Sequence, residues 1–220
     1  MDFDSLGTID YAFAGQMATM PPEDDGPVWM VNFMRYKERA DYGDSGDSGI
    51  SGREADDRYA PVDVLKSIGA DVAYFGDVIG PDGGADPEWD RMAVVRYPTR
   101  KSFIDMQGRK DFKEKAVHKE AGMEFTIIMC ARPTGPPAGE PDGSGVVRFI
   151  ALPPGSTEVD PTEGARFDIE GTVIGDQRKW DRLVVTWTDR DQPQVSGAMT
   201  VRSVPSIDRI RSLIHRSLDA

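Results

Sequence analysis

The chain has one cysteine in 220 residues, Cys130, so no disulfide can form within it. Its only histidines, His118 and His215, lie far apart. One thiol and two distant imidazoles supply no zinc-type ligand cluster, and no metal is expected. No apolar run approaches the ~20 residues of a membrane-crossing helix. Basic residues are the minority, 26 against 38 acidic, for a net charge of −12. A surface that negative repels phosphate backbones and anionic lipid, which argues against nucleic acid or a membrane as partner. The chain also lacks a phosphate loop ending in Gly-Lys-Ser/Thr, a dinucleotide fingerprint after a strand and a Gly-x-Ser-x-Gly elbow. No cofactor is therefore expected. Met1-Asp2-Phe3-Asp4-Ser5 has neither the positive nor the apolar region of a signal peptide, which points to a cytoplasmic protein.

What is present is repetition. Trp89-Asp90-Arg91 recurs as Trp180-Asp181-Arg182, and each follows a Val-Ile-Gly, at residues 78–80 and 173–175. Each Trp-Asp-Arg leads into a strand-like run, Met92-Ala93-Val94-Val95 and Leu183-Val184-Val185-Thr186. The pattern is that of a tandem duplication of one α+β unit.

In the first copy, Val28 to Tyr36 is rich in β-formers. Residues 41–57 form an acidic, glycine-rich loop, expected to be mobile or a lid. A calcium loop beginning at Asp44 would need a carboxylate where Gly46 stands and a glutamate where Ala55 stands. Tyr59, Val62, Leu65 and Ile68 recur at helical spacing from Asp57 to Gly69. Strands are expected at Val72–Ile79, Trp89–Tyr97 and Phe125–Ala131, with Cys130 a small hydrophobe in the last. Between the last two, a helix from Arg100 to Gly122 carries Thr99 as N-cap and breaks at Gly108. The order β-α-β-β-α-β is the ferredoxin-like split unit.

Residues 133–145 are rich in Pro and Gly and read as a linker, so the division is 1–132, 133–145 and 146–220. The second copy offers strands at Val146–Leu152, Phe167–Ile174, Trp180–Thr188 and Ala198–Val204, then a helix from Pro205 to Leu218. It lacks the acidic loop and most of the first helix, and no strand follows its final helix, so it reads as degenerate, with one sheet edge open. His118 and His215 then sit on the last helix of their respective copies.

The set Trp29 to Lys37, Gly52-Arg53-Glu54-Ala55 with Tyr59, Glu88-Trp89-Asp90, Arg96-Tyr97-Pro98-Thr99, Asp111-Phe112-Lys113 and His118 to Gly122 resembles the bacterial family called domain of unknown function 1330. The resemblance covers about residues 8–132 and differs in having Phe112 where that family has Tyr. It implies the dimeric α+β barrel superfamily, whose sheets pair to close a barrel, and no settled activity. In a tandem chain the barrel would close internally, and any homo-oligomer would use other surfaces.

Several side chains are candidates. His118 suits proton transfer near neutral pH, as a general base, or could serve as a haem axial ligand, or else lies on the helix surface. Asn32 shares a strand face with Met30 and Met34, and Arg35 shares the other with Trp29, Val31 and Phe33. Whichever face lines the barrel interior could orient a ligand carbonyl or carboxylate. Tyr59, Trp89 and Phe112 complete the candidate ligand set. The expected function is a small cofactor-independent enzyme that acts on a hydrophobic carbonyl or polyketide-like molecule by proton transfer. The alternative is a non-enzymatic small-molecule-binding or assembly protein.

Overall fold

The computed structural model describes residues 6–45, 49–81, 88–156, 163–190 and 194–218. It is an α+β fold built on an antiparallel barrel. The strands are β1 (Thr8–Ile9), β2 (Val28–Tyr36), β3 (Asp71–Pro81), β4 (Arg91–Tyr97), β5 (Met123–Pro133), β6 (Val147–Leu152), β7 (Ala165–Gly175), β8 (Arg182–Thr186) and β9 (Met199–Asp208). They are ordered β1-β7-β5-β2-β4-β3-β9-β6-β8, and a further pairing of β7 with β8 closes eight of them into a ring. The ring closes within one chain.

Alternation of side chains sorts the two faces. Trp29, Val31 and Phe33 of β2, Met92 and Val94 of β4, and Ile127 and Met129 of β5 point inward with Phe149 and Phe167. The interior is solid. Trp29 meets Phe167 edge-on at 5.5 Å, and Tyr74 meets Phe149 at 4.9 Å. The opposite parity, including Val28, Met30, Ile128 and Cys130, lies on the outer face beneath the helices.

Those helices are α1 (Tyr11–Ala18), α2 (Gly52–Tyr59), α3 (Val62–Ser67), α4 (Arg100–Gly108) and α5 (Lys110–Gly122). Helix α2 starts earlier than the apolar spacing suggests, because Ser51 and Glu54 form a reciprocal cap: Glu54 N–H donates to Ser51 Oγ, and Ser51 N–H donates to the Glu54 carboxylate. The expected single helix over 57–69 is split at Ala60-Pro61, since Pro61 has no N–H and disfavours helical backbone before it. Thr99 caps α4 as expected, and the break falls at extended Arg109, one residue after the expected Gly108. Helices α2 and α5 cross so closely that a Cβ on Gly52 would overlap the carbonyl oxygen of Gly122.

Three further expectations need correction. The second half does not leave an edge for want of a last strand: β9 pairs with both β6 and β3. The final helix α6 (Ile210–Leu218) comes after that strand and sends Ile210, Leu213 and Ile214 into the barrel cluster. So His215 on α6 and His118 on α5 do not occupy corresponding helices. Pro205 lies in β9 opposite Gly76, at a register shift that spares the missing N–H, rather than opening a helix. The acidic loop is tied down on both sides of residues 46–48, which lie outside the described residues: Ala40 N–H donates to Ile50 O, and Asp41 N–H to Ala121 O. Most of the turn over 81–87 also lies outside them.

The Trp-Asp-Arg copies do occupy like positions. Asp90 N–H donates to Met34 O, and its carbonyl accepts from Val78 N–H; Asp181 N–H donates to Leu152 O, and its carbonyl accepts from Ile169 N–H. Both tryptophans are buried just ahead of a strand, β4 or β8. These bonds match Val78 with Ile169, so the two Val-Ile-Gly triplets are not in register.

Candidate functional site

A cavity of about 450 Å³ lies between the outer face of the first-half sheet and the helices that cover it. It is not the barrel interior. Its floor includes Met30, Asn32 and Met34 of β2 and Ala93 and Val95 of β4; its roof includes Leu65, Phe103, Phe112 and Ala116. Tyr11, Val62 and Ile207 line it too and are exposed, so it reaches solvent there. The sequence dictates this space. Ala93 and Ala116 are the small residues of facing elements, and the broken α2–α3 segment keeps Pro61 rather than a long side chain over the gap.

Few polar groups reach the cavity. Asn32 Nδ2 donates to Met30 O at 3.0 Å and more weakly to Ala93 O at 3.4 Å. Its own carbonyl oxygen has no protein donor among the described residues. Asp56 is buried and accepts from the Tyr36 hydroxyl at 2.6 Å and from Arg91 at 3.3 Å. Arg91 also holds Asp57 at 2.8 Å and Asp77 at 3.1 Å, its guanidinium 4.6 Å over the Phe75 ring. Burial works against ionisation of Asp77, yet hydrogen bonds from Arg53 and Arg91 keep its carboxyl below the usual range.

Lys119 differs from all of these. It lines the cavity, is 8% exposed, and makes no hydrogen bond or ion pair with the described residues. Its Nζ stands 5.3 Å over the Tyr59 ring. Burial lowers its pKa, and the more distant Asp56 charge opposes that shift. The Tyr59 hydroxyl likewise has no protein partner there, and burial raises its pKa, with the Tyr97 and Asp56 charges adding to the effect. Phe112, Ala116 and Lys119 follow the i, i+4, i+7 spacing of one helix face, a signal that would have placed Lys119 in the apolar layer.

The expected site residues divide. Asn32, Tyr59 and Phe112 come together around the cavity, Tyr59 edge-on to Phe112 at 5.9 Å. Trp89 is in the barrel core, stacked on Phe125 at 5.9 Å. Arg35 stands at the rim in a half-exposed pair with Glu124 at 3.1 Å. His118 is one position from Lys119 on the helix and so points away from the cavity. Its Nδ1 bonds the Tyr42 hydroxyl at 2.8 Å, and burial, then Arg58 and Lys115, lower its pKa. That contact pins the segment before residue 46 onto α5. Among the described residues, no group of His, Cys, Asp and Glu could hold a metal ion, and no helix is long and apolar enough to cross a membrane.

No protein-family model matches the chain, and no curated protein matches it. Two crystal structures are similar to part of it: that of the methylated RPA0582 protein, and that of the RPA0582 protein of unknown function from Rhodopseudomonas palustris. Each is 27% identical and spans 60% of this chain and 98% of its own, with TM-scores of 0.49 and 0.48.

Proposed function

We propose that this protein binds a small hydrophobic molecule in the cavity between its first-half helices and the outer face of the barrel. The observation that carries this reading is the cavity: about 450 Å³, walled by aliphatic and aromatic side chains. That is the size and lining of small-molecule sites, in which a few polar groups set orientation. Of the polar lining residues, Asn32, Tyr59 and Lys119 take that part, since Asp56 and Asp57 are held by Arg91. The binding reading stands ahead of proton transfer by His118, because that imidazole bonds Tyr42 and does not line the cavity.

The same reading takes the barrel as two ferredoxin-like units in tandem. The pairing order supports it: β5-β2-β4-β3 in the first half and β9-β6-β8-β7 in the second are the same permutation. The second unit joins its strands without helices among the described residues, and the roofed cavity lies over the first, with Val173 and Ile174 of β7 at its side. Kinship with the domain of unknown function 1330 rests on the motifs in residues 8–132 and is part of this proposal.

The test is a titration with Nile red, an uncharged apolar dye, against the full chain and Ala93→Phe, which fills the cavity floor. Saturable binding by the wild type, weakened at least tenfold in the folded variant, is expected. Absence of saturable binding, or equal affinity in the two, would overturn the proposal.

A further inference from the structure

Lys119 is a nine-tenths buried lysine that lines the cavity and makes no hydrogen bond or ion pair with the described residues, its amine meeting only the face of the Tyr59 ring, at 5.3 Å. A side chain of that kind is costly to keep in an apolar wall unless something engages it. Methionine would fill the same volume without the cost. Three other candidates carry less. Trp89 and Trp180 have unbonded indole N–H groups, but both face the filled barrel core. Cys130 is buried, and its thiol pKa is pushed up by burial and by Glu170, which makes it inert. His118 is engaged by Tyr42.

Resting on the binding reading, we propose that Lys119 is the nucleophile of the cavity and that the occupant is a hydrophobic aldehyde or ketone, captured as an imine. Two groups could otherwise satisfy an ammonium there, a carboxylate-headed ligand or a carbonyl. The surroundings favour the carbonyl. Asp56 and Asp57 already line the same cavity, and their one shared cation is Arg91. A carboxylate brought to Lys119 would add a third negative charge beside them. A carbonyl adds none. The Tyr59 ring lies beside Lys119, and its hydroxyl, without a hydrogen-bond partner among the described residues, can donate to the carbonyl oxygen.

The step is balanced without a further reactant. The neutral amine of Lys119 attacks the carbonyl carbon and forms a C–N bond. The oxygen takes both amine protons and leaves as water, and a C=N bond remains. The lowered pKa supports this step, because only the unprotonated amine carries the attacking lone pair.

The experiment uses the full chain with decanal as probe and sodium cyanoborohydride to reduce any imine to a stable secondary amine, followed by peptide mass mapping near neutral pH. Expected is one adduct per chain, on Lys119, reduced at least tenfold in Lys119→Met and in Lys119→Arg. Lys110→Met should label like the wild type, since Lys110 is exposed on the opposite side of α5's buried stripe. Adducts spread over exposed lysines, or persisting undiminished in folded Lys119→Met, would overturn the proposal. Displacement of Nile red by decanol separates the two ideas. If decanol displaces the dye while decanal leaves Lys119 unlabelled, the carbonyl inference fails and the binding reading stands. If no dye binds at all, both fail.

Discussion

Replacing Arg91 by leucine tests whether the repeated Trp-Asp-Arg motif has come to serve unequal ends in the two halves. The Arg91 side chain is 5% exposed, and so is that of Asp56, its partner at 3.3 Å. Removing one member of a buried pair costs about 3–5 kcal/mol, because a charge is left behind uncompensated. Two features bring the figure to the lower end. Asp56 keeps the Tyr36 hydroxyl at 2.6 Å, and leucine retains part of the apolar volume. Asp57 and Asp77 are about half exposed, so their pairs add only tenths of a kcal/mol each. Loss of the cation over Phe75 and Tyr36 adds about 0.5–1 kcal/mol. The sum is about 4–5 kcal/mol, or a fall in Tm of about 8–20 °C for a chain of this length. Arg182, its counterpart, is only half-buried and donates to the carbonyl of Ser156, so Arg182→Leu should cost about 1 kcal/mol. Urea unfolding followed by tryptophan fluorescence, with calorimetry, measures both. Adding Asp56→Asn to Arg91→Leu should restore about 2 kcal/mol, since the stranded charge is gone. Equal losses at Arg91 and Arg182, or no recovery with Asp56→Asn, would refute the reasoning.

Lys119→Met should stabilise the protein by about 1–3 kcal/mol at neutral pH, the cost of an unbonded polar group in an apolar wall. Because burial lowers the Lys119 pKa, the unfolded chain holds more protons between that lowered value and about 10.4. Wild-type stability should therefore gain on the variant's as pH rises through that window, as paired denaturant curves would show. Asp142 accepts hydrogen bonds from Ser144, Thr188 and Asp189, which hold its carboxyl well below the usual range. Its contribution is present above about pH 4 and fades as pH falls towards the depressed value, so Asp142→Ala should shrink the acid sensitivity of Tm. Gly52→Ala should cost about 1–3 kcal/mol or more, since its methyl group would strike the Gly122 carbonyl, whereas Gly108→Ala, with open space around it, should be tolerated. Thermal melts of the two variants compare them directly.

Strand positions were legible because β2, β4 and β8 are short, nearly continuous runs of β-forming apolar residues, as expected where one face fills a barrel and the other meets helices or a second layer. The break at Pro61 was legible in principle from the proline alone, but the Tyr59-Val62-Leu65-Ile68 spacing bridged it. The fate of β9 was not, because a proline in a strand is tolerated only beside a register shift that depends on a partner 129 residues away, as Pro205 opposite Gly76 shows. The cavity residues Asn32, Tyr59 and Phe112 could be named from sequence. Which side of the sheet they served could not, since both faces of β2 are apolar. Attention went to His118 for its chemistry, while Lys119, one residue on, was hidden by the habit of lysine to sit in water.

A ring closed by a single chain has no two-fold axis through it. Were the same ring assembled from two identical copies, every crevice would occur twice, and any substitution would strike both. Here each position occurs once, so the face over β2 and β4 can carry a helical roof that, among the described residues, the face over β6 and β8 does not have. Ligand stoichiometry should follow: one occupant per ring, a hyperbolic isotherm, and no communication between twin sites.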